Sequence, residues 1–341
     1  MSNIKDLIII DGHSDYPIQL LRARRTGNKK VIETDHLPGL KKGGVCFETV
    51  TVGGDFLLGP YEMRDPFNTL RAIDAVHQEV TESPDILQLV LKKSDLDEVG
   101  RPGTHSLMMA LEGAAPITED FSLLRNYYRL GVRALSLTHN LRNIFAEGCG
   151  EASSRTGLSL LGKDLIREIN RYDLILDLVH INERGFFEAL ELCENPVLVS
   201  HSNARKLCNV FRNLTDEQLK AVAERGGVVG INCAGFMIDE VFENQTVQRL
   251  LDHVDYMIDL IGIDHVGYGP DYGDYIMDYI DEWLNRSSMA GVRVQYAIGA
   301  QEISATQVFV AGLMERGYTE TDIRKIMGRN FLRVYREGLP D

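Results

Sequence analysis

Short β-branched runs recur along the chain at spacings that leave room for a helix between most of them, the pattern a βαβ protein requires. Eight stand out: LIIIDGHSD (7–15), VCFETVTVG (45–53), HSLMMALEG (105–113), VRALSLTHN (132–140), LILDLVHI (174–181), PVLVSHS (196–202), GGVVGINC (226–233) and HVGYGPDY (265–272). Between them, DPFNTLRAIDAVHQEV, GLSLLGKDLIREINRY, ERGFFEALELC, TDEQLKAVAERG and VQRLLDHVDYMIDLIG read as helices, several opening on Ser, Thr or Asp and closing on Gly. Eight strands alternating with helices predict an α/β protein, a (β/α)8 TIM barrel with a C-terminal helical segment, as a single domain over 1–341. A doubly wound open sheet is the rival, yet no strand is followed by a Gly-x-Gly-x-x-Gly turn. No internal repeat, low-complexity tract or interdomain linker is evident.

Composition narrows the partners. With 44% hydrophobic and 25% charged residues the chain has material for a large core, and a formal charge of −14 excludes a general nucleic-acid or anionic-membrane surface. The one basic stretch, RARRTGNKK at 22–30, reads as a solvated loop. Five scattered cysteines without a Cys-x-x-Cys pair resemble buried thiols in a reducing compartment. The N-terminal apolar run is too short for a signal peptide, the C-terminus resembles no lipid-anchor tail, and no span approaches the roughly 18 apolar residues of a membrane helix. A cytoplasmic protein acting on a small molecule is expected.

The active site of a barrel is built from the C-terminal ends of its strands. Six of the eight runs place a ligand or acid–base group there: His13 and Asp15, Glu112 in ALEG, His139 in LTHN, His180 in LVH, His201 in SHS, and Asp271 in GPD. His13 and Asp15, two positions apart on one strand, are expected to share a face. The remaining histidines, His36, His77, His105, His253 and His265, fall at loops, helices or strand starts and are read as structural. His13, Asp15, His180, His201 and a two-oxygen Glu112 exceed what one catalytic zinc with an open position needs, and two metals bridged by Glu112 account for the surplus. Such a pair polarises a carbonyl and acidifies a shared water, so the reaction implied is hydrolysis. Asp271 is then the proton shuttle, and His139 can donate to the oxygen on which charge develops.

In its motifs DGHSDYP, ALEG, GVRALSLTHN, GLSLLGKDLIREINRYDLILDLVH, PVLVSHSNARKLCNVFRNLTDEQLKAVAERGGVVGIN, IGIDHVGYGPDYG and IMGRNFLRVYRE, the chain resembles the membrane dipeptidase (renal dipeptidase) family of zinc hydrolases, nearly end to end. The resemblance implies an amidohydrolase-like barrel holding two Zn2+ per chain. His13 and Asp15 would bind one ion and His180 and His201 the other, with Glu112 as the bridge. It further implies that His139 acts at the substrate carbonyl, Arg212 binds the substrate carboxylate, and Asp271 is the general acid–base. The expected activity is hydrolysis of free dipeptides through a metal-bridging hydroxide, in an assembly that is often a homodimer. The chain differs from the usual pattern at Ser14 and Tyr16, Val179, Ile144 and Phe145, and Tyr272-Gly273-Asp274, around the substrate pocket. Two other readings are a different metal-dependent hydrolase on the same barrel, acting on a lactone, cyclic amide or N-acyl amino acid, and a non-catalytic barrel. Many hydrolases of the former kind bridge their metals with a carboxylated Lys after strand four, where this chain has Thr138-His139-Asn140. The segment 271–302 is long for a βα connection and is expected to cover the pocket.

Overall fold

The computed structural model describes residues 4, 6–55, 57–58, 61–151, 156–273, 275 and 295–341. Its centre is a parallel sheet of strands β1 (Ile9–Ser14), β2 (Val45–Gly54), β3 (His105–Glu112), β4 (Val132–Ser136), β5 (Ile175–Asp177), β6 (Val197–Val199), β7 (Val228–Ile231) and β8 (Val266–Tyr268), hydrogen-bonded in that order. Each falls inside one of the eight apolar runs except β2, which extends one residue past its run to Gly54. The sheet curls until β8 packs against β1, giving a nearly closed barrel. Three short strands escaped the sequence reading: Leu57–Leu58 and Tyr61–Glu62 form a small antiparallel pair, and Leu87–Leu89 pairs with the start of β3, Leu87 opposite His105 and Leu89 opposite Leu107, below the point where β4 joins it.

A helix follows every strand: α1 (Pro17–Arg25), α2 (Pro66–Glu82), α3 (Ser122–Arg129), α4 (Leu160–Arg171), α5 (Glu183–Leu192), α6 (Asp216–Glu224), α7 (Val247–Ile261) and α8 (Thr306–Glu315). Polar caps start them where the sequence suggested. Asp65, Ser159, Asn182, Thr215 and Thr246 each accept a hydrogen bond from a first-turn amide, satisfying donors that a helix start leaves free. The basic stretch at 22–30 is not all solvated loop: Arg22–Arg25 form the last turn of α1, and Arg24 clamps the fully buried Glu79 and the partly exposed Glu82 of α2.

Two apolar layers hold the barrel. One lies between strands and helices; the other fills the barrel interior with Ile10, Phe47, Met108, Ala134, Leu198 and Val228. The C-terminal segment completes the inner layer. Its last helix, α9 (Asn330–Gly338), inserts Phe331, Val334 and Tyr335 among those residues, and the Tyr335 hydroxyl meets Thr49 Oγ1 at 2.7 Å. Glycines make room for the Phe331 ring: a Cβ on Gly12 would lie 2.6 Å from its Cζ and one on Gly267 2.5 Å from its Cε2. The foot of the barrel is thus sealed with hydrocarbon, and only the opposite mouth is free to hold polar groups.

Among the described residues no helix is long and apolar enough to cross a membrane. All five cysteines are free thiols. Of the segment expected to cover the pocket, residues 274 and 276–294 lie outside the described residues.

Candidate metal centre

The strands end sooner than the apolar runs suggested, and most of the chemistry sits one to three residues beyond them. β4 stops at Ser136, β5 at Asp177, β6 at Val199 and β8 at Tyr268, so His139, His180, His201 and Asp271 are carried on the turns that follow. Two of these turns are strained. His180 and Asp271 have φ of 64° and 59°, a left-handed conformation that non-glycine residues seldom adopt and that clusters at functional sites. Asp15 also lies past its strand, with a register shift between Asp11 and Ser14. Its convergence with His13 therefore comes from the turn rather than from strand alternation. The Asp11 carboxylate receives the His13 amide at 2.9 Å, and the Tyr275 hydroxyl receives that of Asp15 at 2.8 Å.

These turns bring the predicted residues to one point. His13 Nε2 lies 3.4 Å from Asp15 Oδ1, 3.5 Å from Glu112 Oε1 and 3.9 Å from Asp271 Oδ1. His180 Nε2 is 2.8 Å from Glu112 Oε1 and 3.0 Å from His201 Nε2, which in turn is 3.6 Å from Glu112 Oε1. Glu112 is central to both sets. Three triads satisfy the spacing a metal ion needs: His13, Asp15 and Glu112; His13, His201 and Asp271; and Glu112, His139 and His180. Asp271 and His139 thus sit within ligand distance as well. Arg212, read from the sequence as a loop residue, is buried, and its Nη2 points at His180 Nε2 from 3.1 Å.

The electrostatics divide these groups. His180 and His201 are held well below the usual imidazole range, first by burial and then by neighbouring cations, Arg212 on both, so both are neutral. Burial, reinforced by Arg212, pushes His139 down to about 3. For His13, burial acts downward too, yet the carboxylates of Glu112, Asp15 and Asp271 outweigh it and raise the imidazole. Burial raises Glu112 well above the carboxylate range and Asp271 to about 6.

A resident cation fits this donor set. Among the described residues, His13 Nε2 and Asp15 Oδ1 are buried without a hydrogen-bond partner, a costly arrangement unless something else occupies their lone pairs. The far nitrogens of the other two imidazoles are already engaged. His180 Nδ1 meets Asn140 Oδ1 at 2.9 Å and His201 Nδ1 meets Ser200 Oγ at 2.9 Å, so each ring presents Nε2 inward, as metal-binding histidines do when a neighbour fixes the tautomer.

Sequence reasoning missed this supporting layer. Asn140 and Ser200 stand directly beside His139 and His201, and that adjacency was the available signal. Asp177 receives the amides of Val179 and Ser200, both at 3.0 Å, tying the β5 and β6 turns together. Asp55 receives the amides of Ala115 at 2.8 Å and His139 at 3.3 Å and the Asn143 side chain at 2.6 Å. Asn232 donates to Asp271 Oδ2 at 3.0 Å. The other five histidines do lie apart from the triads: His77, His253 and His265 bond to backbone carbonyls, His105 to Glu48, and His36 stacks on Tyr16.

The sequence profile of the family described as membrane dipeptidase (peptidase family M19) matches residues 3–338. The chain belongs to this family. The dipeptidase tcpJ of Claviceps purpurea is 31% identical over 276 residues, which cover 81% of this chain but 60% of the fungal protein. The chain therefore spans under two thirds of that relative. The dipeptidase verJ of Clonostachys rogersoniana is 28% identical over 97% of this chain and 84% of its own length. Among solved structures, the metallopeptidase called dipeptidase AC, itself of family M19, superposes with a TM-score of 0.82 at 25% identity, over 99% of this chain and all of that one. An amidohydrolase of Pseudomonas aeruginosa gives 0.81 at 22% identity over 98% and 97% of the two chains, a likeness of fold. The amidohydrolase-like barrel expected for an M19 metallopeptidase is the fold observed.

Proposed function

We propose that this M19 protein is a zinc-dependent dipeptidase with two ions per chain. The observation that carries the reading is the convergence of His13, Asp15, Glu112, His180 and His201, with two of their donor atoms buried and unpartnered. His13 and Asp15 would hold one ion and His180 and His201 the other, with Glu112 shared. Bound ions supply Lewis acidity to a carbonyl and lower the pKa of water. The chain's own residues do the rest. Asp271, raised to about 6 and within 3.9 Å of both His13 and His201, is placed to take a proton near neutral pH and pass it to the leaving amine. His139 is neutral and so offers an N–H to the carbonyl oxygen without adding charge beside the ions. Arg212 supplies the third contact. A guanidinium aimed at the same nitrogen that would face an ion needs an anion to share, and the C-terminal carboxylate of a dipeptide is that anion. Five free thiols support a reducing, cytoplasmic setting, and a homodimer is the expected assembly.

The test compares a dipeptide with its C-terminal amide on metal-loaded enzyme. The free acid should be cleaved about 30- to several-thousand-fold more efficiently in kcat/KM, and Arg212→Ala should erase most of the difference while metal content holds. Equal rates for acid and amide would favour another amide hydrolase.

A further inference from the structure

A cleft of about 620 Å3 is lined by Arg64 and Asn143, both bonded to Asp55, and the charges around it are unequally committed. Asp120 is fixed at the start of α3, accepting from the Ser122 amide at 2.8 Å and hydroxyl at 2.7 Å. Arg142 is engaged by Glu151 at 3.3 Å and faces Glu147 at 4.0 Å. Glu119 is exposed to solvent. Arg64 differs from all three. It is half-buried, its Nε–H donates to the Asp55 carbonyl at 2.9 Å, and among the described residues no carboxylate lies within ion-pair distance of it. It lines the cleft, and among the described residues its terminal nitrogens make no hydrogen bond.

The anchor of Arg64 links it to the reaction centre. Asp55 receives the His139 amide with its carboxylate and gives its own amide to the Glu112 carbonyl at 3.0 Å. Arg64 therefore stands one residue from the metal centre, beyond the end of β2. Arg212 follows β6. In a ring of eight strands β2 and β6 are four places apart, on opposite sides of the mouth. A dipeptide whose carboxylate rests on Arg212 and whose peptide bond lies at the centre directs its first residue toward Arg64.

We propose that Arg64 is a specificity residue that binds a side-chain carboxylate on the N-terminal residue of the substrate, so that the preferred dipeptides begin with Glu or Asp. This rests on the dipeptidase reading and adds the substrate class to it. A half-buried, preorganised guanidinium pairs with a carboxylate through two parallel hydrogen bonds, which the isosteric amide of Gln or Asn cannot match.

The experiment measures kcat/KM for Glu-Ala, Gln-Ala and Ala-Ala, with the C-terminal alanine in whichever configuration the metal-loaded parent cleaves. The expected Glu-Ala to Gln-Ala ratio is about ten to a hundred in the parent. It should fall to about one in Arg64→Gln, which keeps an N–H for Asp55, and below one in Arg64→Glu. Because the readout is a ratio within each protein, a general loss of activity does not mimic the result. A ratio near one in the parent, or one that neither substitution moves, overturns the assignment of Arg64 while leaving the dipeptidase reading intact. Failure to cleave all three substrates overturns the dipeptidase reading instead. An acid preference seen only with Ala-Glu over Ala-Gln overturns the placement at the first residue.

Discussion

The two ends of the barrel are built from the same strands and obey opposite rules. At the foot the space is filled chiefly by hydrocarbon: Phe331 and Tyr335 close the space under Ile10, Phe47 and Met108, Thr49 matches the Tyr335 hydroxyl, and small residues are kept where a ring must fit. At the mouth, the chain gathers three carboxylates and four imidazoles that water would otherwise hydrate, leaves two donor atoms unpartnered, and holds two residues in left-handed backbone. The foot lowers the free energy of the fold, and the mouth raises it. Stability and chemistry are therefore separated along the barrel axis, and substitutions at the two ends should move different observables.

The widest separation is expected for Asp271→Asn. Asn preserves the size of the side chain and the left-handed turn, which Asn tolerates, but cannot carry a proton, so turnover should fall by about two to four decades with metal content and melting temperature unchanged. An unchanged rate accompanied by a lower melting temperature would make Asp271 a structural group and erase the contrast. At the foot, Phe331→Ala should do the reverse. Emptying the space under Gly12 and Gly267 should cost about 3–5 kcal/mol in denaturant unfolding, while the kcat of the protein that remains folded stays within a few-fold of the parent. A large loss of kcat in folded Phe331→Ala would show that the foot also positions the centre.

A third expectation concerns pH. His253 on α7 is fully buried, accepts the Ala204 amide at Nδ1 and donates to the Ile238 carbonyl from Nε2, and burial pushes it down to about 4. Its ordinary value in the unfolded chain is near 6.5. Between those values the unfolded state binds the extra proton, so stability is complete above about pH 6.5 and declines as pH falls toward 4, by up to about 3 kcal/mol. Unfolding midpoints at pH 7 and pH 5 for the parent and His253→Gln would check this, the variant showing the shallower loss. The smallest effect is expected for Asn140→Ala, which frees His180 Nδ1 and should weaken metal binding by about 10- to 100-fold with little change in melting of the metal-free protein. Unaltered affinity would mean that packing alone orients that imidazole.

How much of this could be read from the sequence follows the same division. The eight strands were legible because a buried strand writes its burial into consecutive residues, and His139, His180, His201 and Asp271 were legible because they end such runs. Their exact carriage was not. That the strands stop at Ser136, Asp177, Val199 and Tyr268, and that His180 and Asp271 turn left-handed, depends on neighbouring strands that no local pattern encodes. Nor could the text of the chain reveal that Arg24 clamps Glu79, that Leu87–Leu89 joins β3, or that Asp55 spans Ala115, His139 and Asn143, since each contact joins residues far apart in sequence. The C-terminal helix was expected as an element, whereas its role as a stopper inside the barrel came only with the structure.

That stopper also sets a schedule. β1, which carries His13, and α9, whose ring seats beneath it, are separated by more than three hundred residues of chain. Contacts between such distant segments close slowly because the intervening chain must be ordered first. A newly made molecule thus keeps an open underside until α9 has followed, and the cluster of charges above it gains its floor only then.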